Sequence, residues 1–268
     1  MRSERSAATI VVVSVFDIIV CGVDESPEGL EALRQTERLR PPGSRLHLVT
    51  AADRSLAVHA GWGASGVLEQ IETGSRKALA RALEQAAADV TSRLVDGNSP
   101  ECLLQEAERE HATLLALGSH GQSRVAGIIL GGTATAVVHE APCSVLVARR
   151  PRGGLEFPAS IVVGLDGSTD SRRALEIARE LGARLNAPVR SLAASGGKPV
   201  SSDGLRDVDG LEWSEQQPVS ALVAASAGAD LLVLGSRGLH GLASLGSVSE
   251  RVASKAHSSV LVVRDSRR

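Results

Sequence analysis

Asp24 closes the apolar run IIVCGV (Ile18 to Val23), and GSHGQSRVAGIILGG (Gly118 to Gly132) follows the apolar run ATLLAL. These are the residues of the chain best suited to chemistry. Glycine inside an element costs roughly 0.5–1 kcal/mol relative to alanine, so a cluster marks a turn, a close backbone approach or a bound anion. A glycine loop that leaves a strand and enters a helix offers backbone N–H groups and a favourable dipole to a phosphate. A carboxylate at the same edge of a doubly wound sheet can hydrogen-bond a base or a ribose. Together the two features fit an adenine nucleotide. The plainer alternative is that the glycines only permit strand-to-helix turns and that Asp24 only caps the next helix.

The same pattern occurs twice. IVVGLDGS (Ile161 to Ser168) aligns with IIVCGVDES and puts Asp166 on Asp24, while LLVLGSRG (Leu231 to Gly238) aligns with LLALGSHG (Leu114 to Gly121). AHSSVLVVRD (Ala256 to Asp265) aligns with APCSVLVARR (Ala141 to Arg150). The chain is therefore an internal repeat, with about 25 residues missing from the middle of the second copy. Residues 1–150 and 158–268 are read as the two domains, joined by the Pro- and Gly-containing linker PRGGLEFP (Pro151 to Pro158).

Continuous apolar runs alternate with helical patterns in both copies, which predicts right-handed crossovers and a parallel sheet covered on both faces. The first copy reads as strands at Ile18–Val23, Arg45–Ala51, Ser92–Val95, Ala112–Gly118 and Cys143–Arg149, with a long helix at about Val67–Ala88. In the second copy that long helix is replaced by SGGKPVSSDGLRDVDG (Ser195 to Gly210). Its Gly, Ser, Asp and Pro content predicts a loop with little to bury and high protease sensitivity. The last strands of the copies, Val145 to Val147 and Val260 to Val262, are apolar edges that need cover, so they are expected to meet about a pseudo-two-fold axis.

Composition limits the partners. The 29 Lys plus Arg nearly balance 31 Asp plus Glu, which gives no field for nucleic acid or an anionic membrane. Only Lys77, Lys198 and Lys255 are lysines, and no P-loop pattern is present. Cys21, Cys102 and Cys143 lack metal or redox spacing and read as small buried hydrophobes in a reducing cytoplasm. No His-x-x-x-His pair suggests zinc, and His120 reads as a solvent-facing loop residue. The run ATIVVVSV is interrupted by Asp17 soon after and reads as a non-secretory extension; no stretch is long enough to span a bilayer.

These motifs resemble the tandem form of the universal stress protein family over nearly the whole chain: V-D-x-S after the first strand, G-x-x-G-(nine residues)-G-[S/T], and the terminal A-P-C-x-V-L-V-x-R. The resemblance implies an α/β fold of two Rossmann-like, adenine-nucleotide alpha-hydrolase-like domains, each with a five-stranded parallel sheet of order 3-2-1-4-5. It also implies ATP in some members but not in others, pairing through the last strand, and a role in stress tolerance or dormancy.

Carried over, the first copy supplies Asp24 for the adenosine, Ala51 against the base, and Gly118, Gly121 and Gly131 for the phosphates. Gly132 stands where the family has Ser or Thr, with Thr133 one position later. The second copy keeps Asp166, Gly235, Gly238, Gly246 and the hydroxyl of Ser247, but only seven residues separate its last two glycines. A lost hydrogen bond to phosphate weakens binding by about 10- to 100-fold, whereas shortening the loop displaces the nest itself. The first copy is thus the better candidate. The expected function is a cytoplasmic stress regulator that binds ATP, alone or with Mg2+, forms a homodimer, and is not an enzyme. A nucleotide-free pseudo-dimeric scaffold and a weak ATPase are the alternatives.

Overall fold

Each of these apolar runs is a strand, and the polar-edged periodic segments between them are helices. The computed structural model describes residues 16–54, 64–87, 89–121, 130–151, 156–197, 204–236 and 247–264. The first half runs β1 (Ile18–Gly22), α1 (Pro27–Leu39), β2 (Arg45–Ala52), α2 (Ala64–Gln85), β3 (Val90–Asp96), α3 (Ser99–Arg109), β4 (Leu114–Gly118), α4 (Gly132–Glu140) and β5 (Ser144–Ala148). The second runs β6 (Ile161–Leu165), α5 (Thr169–Leu185), β7 (Val189–Ala194), β8 (Leu211–Ser214), α6 (Pro218–Ser226), β9 (Leu231–Gly235), α7 (Ser247–Lys255) and β10 (Ser259–Val263).

All strands join one ten-stranded sheet of order β3-β2-β1-β4-β5-β10-β9-β6-β7-β8. Each half is the 3-2-1-4-5 order, and the second is its mirror along the sheet. Every pairing is parallel except the central one, where β5 and β10 run antiparallel with Val145 opposite Val262 and Val147 opposite Val260. The expected contact of the two last strands is therefore present.

Helix α1 shows how the sequence writes these elements. Ser26 is the N-cap and accepts from Gly29 N–H, Pro27 sits in the first turn, and Gly29, Ala32, Leu33, Thr36 and Leu39 form the buried stripe at helical spacing. Each sheet face carries a core shared by both halves: Leu33, Leu48 and Leu146 pack in one cluster with Ile177, Leu181 and Leu261. Val137 and Val145 share the other with Val252 and Val260. Fully burying one such side chain is worth roughly 1.5–3 kcal/mol, which holds the halves as one body.

The seam is also clamped by polar contacts that repeat about the pseudo-two-fold axis. Arg149, just past β5, donates to the carbonyls of Ala253 at 2.6 Å, at the end of α7, and of Ser258 at 3.2 Å, just before β10. Arg264, the matching residue past β10, donates to the carbonyls of Val138, His139 and Ala141 at the end of α4. Ser259 Oγ accepts from Arg149 N–H at 2.9 Å, and Ser144 Oγ accepts from Arg264 N–H at 3.1 Å. The motif arginine of each copy thus caps the last helix of the other.

The second copy has no α-helix among its described residues between β7 and β8, as expected. The replacement segment differs from the expected exposed loop, however. Its part 204–210 is docked: Leu205 is 3% exposed within the core, and Arg172 of α5 donates to Gly204 O at 2.7 Å and pairs with Asp207 at 3.0 Å. One leucine and one ion pair supply the anchoring that composition hid. Residues 198–203 lie outside the described residues.

Candidate functional site

The C-terminal ends of β1, β2 and β4 face one side of the sheet, and a cavity of about 340 Å³ opens there in the first half. Asp24, Ala51, Gly118, Gly121, Gly131, Gly132 and Thr133 all line it, so the tertiary structure gathers every first-copy candidate. The volume lies at the lower end of the range for small-molecule sites.

Asp24 divides its carboxylate between two tasks. Oδ1 accepts from the N–H of Ser26 at 3.0 Å and from its hydroxyl, which fixes the serine as the cap of α1. Oδ2 points the other way, toward the glycine loop: a Cβ on Gly121 would lie 2.8 Å from it. Capping therefore belongs to Ser26, with Asp24 as its support, and half of the carboxylate is left to face the cavity.

The glycines also separate by cause. A Cβ on Gly118 would lie 2.7 Å from the carbonyl carbon of Glu28, so the approach of α1 to β4 already requires glycine there. Gly131 is the N-cap of α4 with an extended backbone, and its N–H donates to Ser119 O at 2.8 Å. The next N–H groups, on Gly132, Thr133 and Ala134, open the helix without intrahelical acceptors. A Cβ on Gly132 would meet nothing within 4 Å.

The other walls were not visible in the motifs. Gln70, Ile71, Gly74, Ser75 and Ala78 come from one face of α2, and Leu103 from α3. Gly74 carried the one usable signal, a glycine inside an alanine-rich helix; a Cβ there would come to 3.2 Å from Glu25 Oε2. His120, expected to face solvent, is half-buried and lines the cavity, with Nδ1 3.2 Å from Ser119 Oγ. Asp24, Glu25 and Asp53 bring three carboxylates, and no Lys or Arg is among the described lining residues. Val49, Ala78, Leu103 and Leu117 make the apolar part.

The second half keeps the strand-end chemistry but arranges it differently. Asp166 Oδ1 accepts from Ser168 N–H at 3.0 Å and from its hydroxyl at 2.6 Å, repeating the support of an N-cap serine. A Cβ on Gly235 would lie 2.6 Å from the carbonyl carbon of Asp170, the same packing demand as at Gly118. Ser236 Oγ donates to Asp170 at 2.8 Å, and Ser249 Oγ donates to Gly235 O at 2.7 Å. Ser247 opens α7. Gly238 and Gly246 lie outside the described residues, as does the side chain of Ser247.

Burial pushes the thiols of Cys21 and Cys143 from 9.0 up to about 12, and all three cysteines are buried and free. They bring no nucleophile to the cavity. No described helix is long and apolar enough to cross a membrane.

The model of the universal stress protein family matches residues 16–149 and 209–264. Universal stress protein Rv2623 of Mycobacterium tuberculosis is 30% identical over 190 residues, covering 58% of this chain and 62% of that protein. Universal stress protein Mb2019 of Mycobacterium bovis is 27% identical over 233 residues, covering 72% of this chain and 71% of that protein. This chain thus matches less than two thirds of the length of the first of these relatives. In fold, a universal stress protein from Archaeoglobus fulgidus superposes with a TM-score of 0.66 at 17% identity, over 92% of this chain and 98% of that one. One from Pseudomonas aeruginosa, described as putative, gives 0.67 at 18% identity over 92% and 93%.

Proposed function

We propose, from the premise that this chain belongs to the universal stress protein family, that it binds one ATP in the cavity of its first half and works as a nucleotide-dependent stress regulator. The observation that carries this reading is the convergence of Asp24, Ala51, Gly121 and the start of α4 on a single cavity. The base would lie against Ala51, Val49 and Leu103, and Asp24 Oδ2 would meet the nucleoside. The N–H groups opening α4 would meet the phosphates. The residues fit the ligand where a side chain would not: a Cβ at Gly121 would crowd Asp24 Oδ2 at 2.8 Å.

Three carboxylates and no described Lys or Arg line the cavity, so ATP accompanied by Mg2+ suits it better than the free tetra-anion. Asp24, Glu25 or Asp53 would offer oxygen ligands to that ion. The chain is proposed to act in the cytoplasm by binding rather than by turnover, since a phosphoryl-transfer site needs charge clamps that these described residues do not supply. The domain boundaries 1–150 and 158–268 are kept as a proposal. So is association into a homodimer, which would use surfaces other than the last strands, because β5 and β10 are already paired within the chain.

Calorimetry with MgATP tests the reading. Gly121→Val should abolish binding while far-UV circular dichroism stays unchanged, and Gly238→Val should alter affinity little. If the unmodified protein takes up no ATP at millimolar concentration, the cavity is structural. The chain is then the nucleotide-free pseudo-dimeric scaffold that the reciprocal clamps of Arg149 and Arg264 would serve equally well.

A further inference from the structure

A buried polar cluster lies away from the cavity, four residues back along β2 from Ala51, or about 13 Å at the strand rise. His47 is 8% exposed and faces α3. Its Nδ1 is 2.8 Å from Thr91 Oγ1 on β3, while its Nε2 is buried with no hydrogen-bond partner. That nitrogen points at carboxylates spaced four residues apart at the end of α3. Glu106 Oε2 is 3.5 Å from it, and one ligand atom each from His47, Glu106 and Glu110 all lie within 4.8 Å of one another.

Thr91 Oγ1 can take the Nδ1 proton, which leaves Nε2 with only its lone pair. Glu106 Oε2 already accepts from Arg109 Nε at 2.9 Å and Nη2 at 2.6 Å, so the unmet group is the buried Nε2 lone pair, 3.5 Å from that oxygen. We infer that His47, Glu106 and Glu110 form a binding site for a divalent cation of the zinc class, separate from the candidate nucleotide cavity. Tetrahedral ligands of zinc stand about 3.4 Å apart at ordinary bond lengths, and His with two carboxylates is a suitable donor set. Burial lowers the pKa of His47, against the pull of Glu110 and Glu106, so the ring is neutral and able to ligate near pH 7.

The charged groups around the site set its competitor and its support. Arg109 Nη2 is 2.6 Å from Glu106 Oε2 and 2.7 Å from Glu110 Oε1, in the region the ion would take. Arg109 is half exposed and can turn into water, but Glu106 is buried, so the ion must replace the two bonds that Arg109 gives it. Arg93 holds the other oxygen of Glu106 at 2.8 Å and would orient the ligating carboxylate. A bound ion would tie α3 to β2, and α3 carries Leu103 into the cavity wall.

The test uses the full chain, stripped with chelator and titrated with ZnCl2 alone by calorimetry, with CoCl2 as a spectroscopic probe. One zinc per chain and the visible bands of four-coordinate cobalt are expected. His47→Gln should abolish both, Thr91→Ala should weaken zinc by about 10- to 100-fold, and Arg109→Ala should tighten it. If His47→Gln does not fold by circular dichroism, Glu110→Gln carries the same expectation. No zinc uptake at millimolar concentration overturns the inference, as does uptake indifferent to His47 and Glu110. None of these outcomes bears on ATP, which is measured separately.

Discussion

Asp24 and Asp166 make the same contacts to Ser26 and Ser168, so each half is a control for the other. Asp24→Ala and Asp166→Ala should each lower stability by about 1 kcal/mol through a loosened N-cap. Only Asp24→Ala should also remove ATP binding, measured by calorimetry beside thermal melts. Gly132 supports a prediction of opposite sign. The space in front of it is open, so Gly132→Ser restores the family hydroxyl without a clash, and a further charge-assisted hydrogen bond should tighten ATP by about 10-fold. Unchanged or weaker binding by Gly132→Ser would mean that the phosphates do not reach the start of α4. The cysteines are legible from composition and burial alone. With the folded pKa of Cys21 and Cys143 near 12 against 9.0 unfolded, their contribution is whole below pH 9 and is lost as pH rises toward 12. Each should cost about 1.4 kcal/mol at one unit above 9. Urea midpoints between pH 8 and 10 check this, and neither thiol should react with an exposed-thiol reagent at pH 8 in the native state.

At the scale of elements, the apolar runs of the first copy are all strands and its long helix is present, with boundaries that differ by only a few residues. Helix α2 shifts most, from about Val67–Ala88 to Ala64–Gln85, and among the strands β3 changes most, from Ser92–Val95 to Val90–Asp96. The exposed edge position of β3 weakens the apolar pattern that would mark its ends. The segment after β7 departs from what its composition implies, because a single buried Leu205 and the Arg172–Asp207 pair anchor a stretch whose average composition is polar. Leu205→Ala should therefore cost about 2–5 kcal/mol, whereas a free loop would show none. Chemical denaturation decides between them, and limited proteolysis of the same variant should show new cleavage near residues 204–210.

For the whole molecule, the central β5–β10 pairing and the shared cores make one cooperative unit. Arg149 is half-buried, and desolvation lowers its pKa to about 10; the carbonyls it caps on α7 hold its charge. Arg149→Ala leaves those carbonyls without their donor and should cost roughly 2–4 kcal/mol. Arg264→Ala should do the same from the other side. Because both act on one seam, unfolding should remain a single transition in calorimetry. Two separate transitions in either variant would show that the halves are held by the linker alone.

By itself the sequence determined the duplication, the alternation of strands and helices, the last-strand contact and the candidates Asp24, Ala51, Gly121 and Gly131. These are local or repeated signals, written in residue type and spacing. Only the tertiary structure decided which oxygen of Asp24 faces the cavity, that Gly118 answers first to the packing of α1, and that α2 supplies a wall through Gln70, Gly74 and Ser75. It alone brought His47 to Glu106 across 59 positions of chain. The reason is physical: a motif records what a residue can do, while distances between side chains on different elements depend on register, crossover and the faces that pack. None of these leaves a mark at any single position.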